Sequence, residues 1–257
     1  MFSVLFTQAP DGRLYIEWLA AGLGWTLALA FFGWWIAFAV GVIIGAGRTS
    51  GSRAVAVACR AYVEVFRNIP VLVQMFLWYF VLPELLPKAI GDWIKQLPLP
   101  WGTFLPALIC LALYTAARIA EQVRAGIEAL PAGQREAAAA LGLRSVQVYL
   151  LVLVPQALRL IVPSLTSEVM GIYKNTSVAL TIGVIELTAA AREISEATFA
   201  TFAAFGAATL IYLALALVAY RLMVLIDRAL RIPGTEPTQP TQSRVVAAPL
   251  ETAGVNS

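Results

Sequence analysis

The sequence predicts an all-α integral membrane protein with about five transmembrane helices. Of its 257 residues, 60% are hydrophobic and 13% are charged, whereas a soluble domain is about 45–50% apolar and about 25% charged. The mean hydropathy is +0.79, and long apolar segments recur, each near the roughly 20 residues that a helix needs to cross a bilayer. These segments are too long and too uniform to be the alternating strands of a membrane barrel.

Five apolar segments are each predicted to form a transmembrane helix. They cover about residues 18–46, 61–86, 104–123, 149–185 and 198–226. The second contains Arg67, Asn68 and Pro70 near its start. This group predicts a bend where the chain enters the membrane, because proline removes a backbone hydrogen bond and kinks a helix. A gating role for the same group is the alternative.

Lysine and arginine residues near the ends of the segments predict the orientation. They are concentrated after the first segment, between the third and fourth, and after the fifth. The N-terminus is therefore expected outside and the C-terminus in the cytoplasm. The chain divides into an external segment over 1–17, a membrane domain over 18–231 and a tail over 232–257. The tail is rich in Pro, Thr and Gln, which predicts disorder.

The composition also excludes several classes of function. The chain has no histidine, which removes the usual zinc-hydrolase patterns and any Ser-His-Asp triad. Cys59 and Cys110 lie within or near apolar segments, where a free thiol behaves as a small hydrophobe. The net charge of +3 is small and follows the segment ends, so nucleic acid is not expected as a partner. No catalytic or metal-ligating residue is assigned.

One segment departs from the apolar pattern. Residues 134–141 read QREAAAAL, a run of strong helix formers, and Gly142 is placed as the left-handed residue that ends a helix. A free helix this short is marginal in water and needs a surface to pack on. Its alanines leave a thin helix whose backbone can approach a partner closely. The alternative is an ordinary loop helix lying on its own bundle.

The spacing of Glu136, Ala137 and Ala138, then Gly142 and Pro155, resembles the EAA signature of ABC importer permeases. Three further motifs resemble the polar amino-acid subgroup, and most closely its glutamate/aspartate permease subunits. They are YVEVFRNIPVLVQMFLWYFVLPELLP at 62–87, LYTAARIAEQVRAGIEALPAGQ at 113–134 and SEVMGIYKNTSVA at 167–179. The similarity covers roughly residues 10–235.

This resemblance implies a type I ABC importer permease fold with a five-helix core in the bacterial cytoplasmic (inner) membrane. It implies as partners a second permease subunit, identical or paralogous, an ABC ATPase dimer and an external amino-acid-binding protein. A cytoplasmic coupling helix, here about 134–142, would insert into a cleft of the ATPase. This assigns ATPase coupling to Glu136, Ala137, Ala138, Gly142 and Pro155.

Nucleotide chemistry is expected on another chain. The sequence contains no G-x-x-x-x-G-K-[ST] phosphate loop, the motif that cradles phosphates in many ATPases. ATP and Mg are therefore expected on the partner ATPase, and this chain is expected to bind no cofactor.

Two groups of charged residues lie inside predicted helices, where a charge at the bilayer centre costs roughly 2.5–3.5 kcal/mol. In the third segment, Tyr114, Arg118, Glu121 and Gln122 fall on one helical face. Arg118 is predicted to meet a substrate carboxylate, because a guanidinium grips a carboxylate through two parallel hydrogen bonds. The alternative is an internal pair between Arg118 and Glu121.

In the fourth segment, Glu168, Gly171 and Asn175 share a helical face, with Lys174 beside it. They resemble a family motif next to the translocation path, and the alternative for Glu168 and Lys174 is a charge pair between helices that fixes packing. The substrate-pathway candidates are therefore Arg118, Glu121, Gln122, Glu168, Lys174 and Asn175.

The string TAAR at 115–118 resembles the acidic-substrate branch, so the resemblance implies ATP-driven import of glutamate or aspartate. One alternative is the same importer with another polar amino acid, such as glutamine or arginine. A second alternative, from another class, is an intramembrane enzyme or a membrane scaffold.

Overall fold

The computed structural model describes residues 2–230, and its regular structure there is helical. A 3₁₀ turn at Phe2–Phe6 precedes the bundle. The helices are α1 (Tyr15–Arg48), α2 (Arg53–Asn68), α3 (Val71–Leu85), α4 (Lys88–Lys95), α5 (Trp101–Glu128), α6 (Ala132–Ala140), α7 (Ser145–Ile182), α8 (Leu187–Thr198) and α9 (Thr201–Leu230). The tail predicted over 232–257 lies outside the described residues.

Four of these helices, α1, α5, α7 and α9, are long and apolar enough to cross a membrane. The pair α2 and α3 passes the same test together, as one bent span. With that pair counted once, the structure has the five spans that the sequence predicts, and the all-α fold class is confirmed.

The second predicted segment is not one continuous helix. α2 begins at Arg53 rather than near residue 61, and α2 and α3 meet at an angle of 104°. Ile69, between them, has an extended backbone with φ −91° and ψ 126°, because the ring of a following proline disfavours the helical conformation. The bend predicted at Pro70 is therefore confirmed, and it separates two helices.

Two prolines explain the irregular turns inside α3 and α7. Each helix contains a π-helical stretch, Leu77–Val81 in α3 and Val148–Leu153 in α7. Each stretch ends shortly before a proline, Pro83 or Pro155. Proline cannot donate the backbone hydrogen bond of a regular helix, and a wider π turn absorbs the break without ending the helix.

The fifth predicted segment begins later than expected, at Thr201, and a separate helix, α8, precedes it. The carboxylate of Glu186 caps α8 by accepting from the amides of Thr188 and Ala189 at 3.0 and 2.9 Å. Phe199 adopts a left-handed backbone with φ 56° between α8 and α9. This turn lets α8 pack back against α1 before the last span begins.

The N-terminal segment is attached to the start of α1 through Asp11. Its carboxylate accepts from the amide of Arg13 at 3.0 Å, from Arg13 Nε at 2.8 Å and from Trp18 Nε1 at 3.1 Å. These donors, led by the backbone amide of Arg13, lower the pKa of Asp11. The contacts fix the direction in which the chain enters α1.

The most extensive helix contact joins α1 to α5, and glycine allows it. A Cβ added at Gly41 would lie 2.7 Å from the Cβ of Ile119, and one at Gly45 would lie 2.6 Å from the Cβ of Val123. Ile119 and Val123 are both fully buried. Small residues let helix backbones approach closely in lipid, where packing rather than water drives association.

We expect Gly45→Ala to destabilise the protein, because its methyl group would overlap Val123 and lie 2.7 Å from the carbonyl oxygen of Ala120. Overpacking of this kind costs about 1–3 kcal/mol. Thermal unfolding in detergent, followed by circular dichroism, measures the loss. Gly24→Ala is the matched control, since a Cβ there meets nothing within 4 Å and alanine is the better helix former. An equal drop in both variants would contradict the packing argument.

Candidate functional site

A charged pair joins α5 to α7 inside the membrane domain. Nε and Nη2 of Arg118 donate to the two carboxylate oxygens of Glu168 at 2.6 and 3.1 Å. The side chain of Glu168 is 6% exposed, whereas that of Arg118 is 47% exposed. The pair is therefore a bidentate guanidinium–carboxylate contact. Its carboxylate is buried, and its guanidinium is exposed on one side.

Gln122, one turn after Arg118 on α5, extends this pair into a network. Its Nε2 donates to Glu168 at 2.9 Å, and its Oε1 accepts from the hydroxyl of Ser164 at 3.0 Å. Three of the predicted pathway candidates, Arg118, Gln122 and Glu168, are thus in direct contact. We refer to them, with Ser164, as the central cluster.

The alternative pair between Arg118 and Glu121 is wrong. Glu121 contacts three other arginines, namely Arg48, Arg67 (3.2 Å) and Arg124. Two side chains three residues apart on an α-helix differ by about 60° in direction around its axis. That difference turns Glu121 from α7 toward α1 and α2, so the polar face of α5 divides between two separate clusters.

The alternative of a charge pair between helices is confirmed for Glu168, which pairs with Arg118 of α5. Lys174 is exposed, and it forms no ion pair within residues 2–230. Asn175 lies on the side of Glu168, two turns further along. There α7 tightens into the 3₁₀ turn Thr176–Ile182.

The alanine-rich helix forms as α6, over Ala132–Ala140 rather than 134–142. Pro131 stands immediately before its first residue, a position that suits a residue without an amide hydrogen. Gly142 has φ +80°, and its amide donates to the carbonyl of Ala139 at 2.9 Å. The predicted left-handed stop at Gly142 is confirmed.

One side of α6 is buried and the other is open. Ala138 is 4% exposed and packs in the same core cluster as Val148 and Leu153. Glu136 and Ala137 are exposed, and so are Ala139, Ala140 and Leu141 beyond them, Leu141 at 82%. The helix therefore packs on its own bundle through the side that carries Ala138, and the rest of its surface is exposed.

A tyrosine that the sequence analysis missed connects α6 to α1. Arg135 donates from Nη2 to the hydroxyl of Tyr149 at 2.7 Å, and that hydroxyl donates to the backbone carbonyl of Thr49, the residue that follows α1. The available signal was a tyrosine at the polar end of an apolar segment, since tyrosine combines an apolar ring with a hydroxyl that needs a partner.

The chemistry of the central cluster follows from the half-exposure of Arg118. A charged side chain at membrane depth is costly unless it faces a partner or a water-filled path. Glu168 satisfies one side of the guanidinium, and the open side faces away from this chain. The arrangement can therefore receive a second carboxylate from outside the chain.

Comparisons with known proteins agree with this architecture. Residues 37–232 match the family described as "Binding-protein-dependent transport system inner membrane component". The chain is 43% identical to the glutamate/aspartate import permease protein GltJ of Escherichia coli over 91% of this chain and 96% of that protein. It is 36% identical to the nopaline transport system permease protein NocM of Agrobacterium fabrum, over 85% and 92%.

A solved structure has the same fold. The crystal structure of an amino acid ABC transporter with histidines superposes with a TM-score of 0.69 and 29% identity. The match covers 84% of this chain and 95% of that one.

Proposed function

This chain belongs to the family of inner membrane components of binding-protein-dependent transport systems, and we propose that it carries glutamate or aspartate into the cell. It is a multi-pass permease subunit of an ABC importer, which works with an ATPase and a binding protein. The acidic cargo is supported by the 43% identity with a permease named for glutamate/aspartate import.

The observation that carries the proposal is the half-exposed guanidinium of Arg118 on the buried carboxylate of Glu168. A cargo carboxylate reaching the open side of Arg118 would share or replace the bonds to Glu168, and Gln122 Nε2 would keep Glu168 hydrogen-bonded. Glu168 pairs with Arg118 again when the cargo leaves, and a buried carboxylate without its cation is the costly state that this return removes. Because the cargo carboxylate and Glu168 exchange as partners of Arg118, the cargo can be released as well as bound.

We propose that Glu121, Lys174 and Asn175 act differently from the central cluster. Glu121 holds the inner ends of α1, α2 and α5 together through its three arginines. Lys174 and Asn175 lie further along α7, where an exposed cation would attract an acidic cargo before it reaches Arg118. These roles follow from position and charge.

ATP would drive the movement from outside the chain. We propose that α6 docks with one subunit of an ABC ATPase dimer, which holds ATP and Mg, and that Glu136, Ala137, Ala138, Gly142 and Pro155 set the shape of this contact. Tyr149 would convey the movement of α6 to the end of α1. ATP and the loaded binding protein then shift the equilibrium between outward and inward access, because each favours one state.

The remaining assembly and topology are part of the same proposal. A second permease subunit, identical or paralogous, would face the open side of Arg118 and complete the path. The N-terminus would lie outside and the C-terminus in the cytoplasm, since arginines cluster at the ends of α1 and α5 and at the start of α2. This orientation places α6 on the side of the ATPase.

Uptake by reconstituted vesicles tests the cargo. With the ATPase and the binding protein present, we expect ATP-dependent uptake of labelled glutamate that excess aspartate suppresses and excess glutamine or arginine does not. Equal suppression by glutamine or arginine would contradict the acidic cargo. Stimulation of ATP hydrolysis by the loaded binding protein, measured in the same vesicles, shows whether the importer has assembled.

A further inference from the structure

A cleft lies away from the central cluster, between the C-terminal ends of α1 and α5 and the polar face of α2. It has a volume of about 610 Å³. Five arginines and three glutamates line it: Arg48, Arg53, Arg60, Arg67, Arg124, Glu64, Glu121 and Glu128. The cations outnumber the anions, and we call this site the arginine cleft.

In the inner part of the arginine cleft, three arginines share two carboxylates. Glu121 contacts Arg48, Arg67 and Arg124, and Arg124 also contacts Glu128. The side chain of Arg48 is only 10% exposed. This part is therefore a fixed structural network that ties α1 and α2 to α5.

The outer part holds two exposed arginines, Arg53 and Arg60 of α2. Arg60 lies 3.5 Å from Glu64, with both side chains more than half exposed, at 68% and 64%, and a pair this open contributes about 0–1 kcal/mol. Within residues 2–230, Arg53 has no ion pair. Seven residues separate the two arginines, which puts both on one face of α2.

An exposed valine lies on the same face of α2 as these charges. Val57 is 58% exposed and lines the cleft itself, whereas Val55, 45% exposed, lies on the opposite face of the helix. A helix with arginines on one face and apolar side chains on the other is suited to the boundary between lipid headgroups and acyl chains. A free amino acid or phosphate would leave Val57 uncovered, whereas an amphiphilic anion would cover it.

We infer that the arginine cleft binds an anionic glycerophospholipid of the cytoplasmic leaflet, with its phosphate at Arg53 and Arg60 and an acyl chain along Val57. The inference rests on the orientation given under the proposed function. Basic pockets between membrane helices on the cytoplasmic side suit phosphate headgroups. A lipid held there would fix α2 at the bilayer surface beside the network of Glu121.

Native mass spectrometry of the assembled importer, purified in neutral detergent and delipidated, tests this site with phosphatidylglycerol as the probe. We expect retained phosphatidylglycerol and no comparable retention of phosphatidylcholine. The double variant R53Q/R60Q should weaken retention roughly 25-fold, because each basic residue near an anionic headgroup contributes about fivefold. R192Q is the matched control, because Arg192 forms a similarly exposed pair with Glu196 at 3.3 Å and does not line the cleft. This variant should retain the lipid fully.

Three results would overturn the lipid site. They are unchanged retention in R53Q/R60Q, equal retention of phosphatidylcholine, and displacement of the lipid by equimolar glycerol 3-phosphate or glutamate, which would make the cleft a site for free anions. The measurement uses neither ATP nor cargo. A failure of the acidic-cargo proposal appears instead in the uptake competition of the unaltered protein, so the two failures are distinguishable.

Discussion

Replacing Arg118 with alanine is expected to abolish glutamate uptake while the importer still assembles. The guanidinium supplies two hydrogen bonds to a carboxylate, at 2.6 and 3.1 Å to Glu168 in this structure. Bonds to charged groups contribute about 1.5–3 kcal/mol each, so losing both from a bound cargo reduces uptake by more than about 100-fold. Uptake of labelled glutamate by reconstituted vesicles measures the loss, and co-purification of the ATPase reports assembly.

The controls for this variant separate transport from folding. Arg118→Ala alone leaves the buried Glu168 without its cation, which is destabilising in itself. The double variant R118A/E168Q removes both charges and should restore thermal stability without restoring uptake. Arg118→Lys keeps the positive charge but loses the planar guanidinium that donates two parallel hydrogen bonds, so we expect intermediate uptake. Normal glutamate uptake by R118A/E168Q would remove Arg118 from the cargo site.

The spans themselves could be predicted closely because their signal is local. α1 and α5 are continuous apolar stretches with arginines toward their C-terminal ends, and a 20-residue window detects them. The break at Pro70 could also be predicted, since proline acts on its own neighbours. The 104° angle between α2 and α3 could not, because it depends on the helices that α2 contacts.

The side-chain partners within the site could not be predicted from the sequence for a similar reason. Spacing shows which residues share a helical face, but it does not show which helix lies opposite. The spacing therefore favours a partner for Arg118 on its own helix, at Glu121, whereas the structure pairs Arg118 with Glu168 across the bundle. Tyr149 was missed because its two partners, Arg135 and Thr49, come from different elements.

The largest effect expected outside the central cluster is at α6, where Ala137→Trp should abolish the stimulation of ATP hydrolysis by the loaded binding protein. Ala137 is exposed, so an indole there leaves the membrane domain undisturbed. The same indole would widen the thin helix that we propose docks with the ATPase, and overpacking a fitted contact costs about 1–3 kcal/mol or more. Co-purification of the ATPase should fall more than about tenfold.

Ala138→Trp is the matched comparison, because the neighbouring side chain is 4% exposed and packs in the core cluster with Val148 and Leu153. That variant should lower the thermal stability of the permease, whereas Ala137→Trp should not. The pair of variants separates a helix that docks outward from one that only covers its own bundle. If Ala137→Trp keeps full co-purification and stimulation, the open side of α6 does not contact the ATPase, and the movement must enter the permease elsewhere.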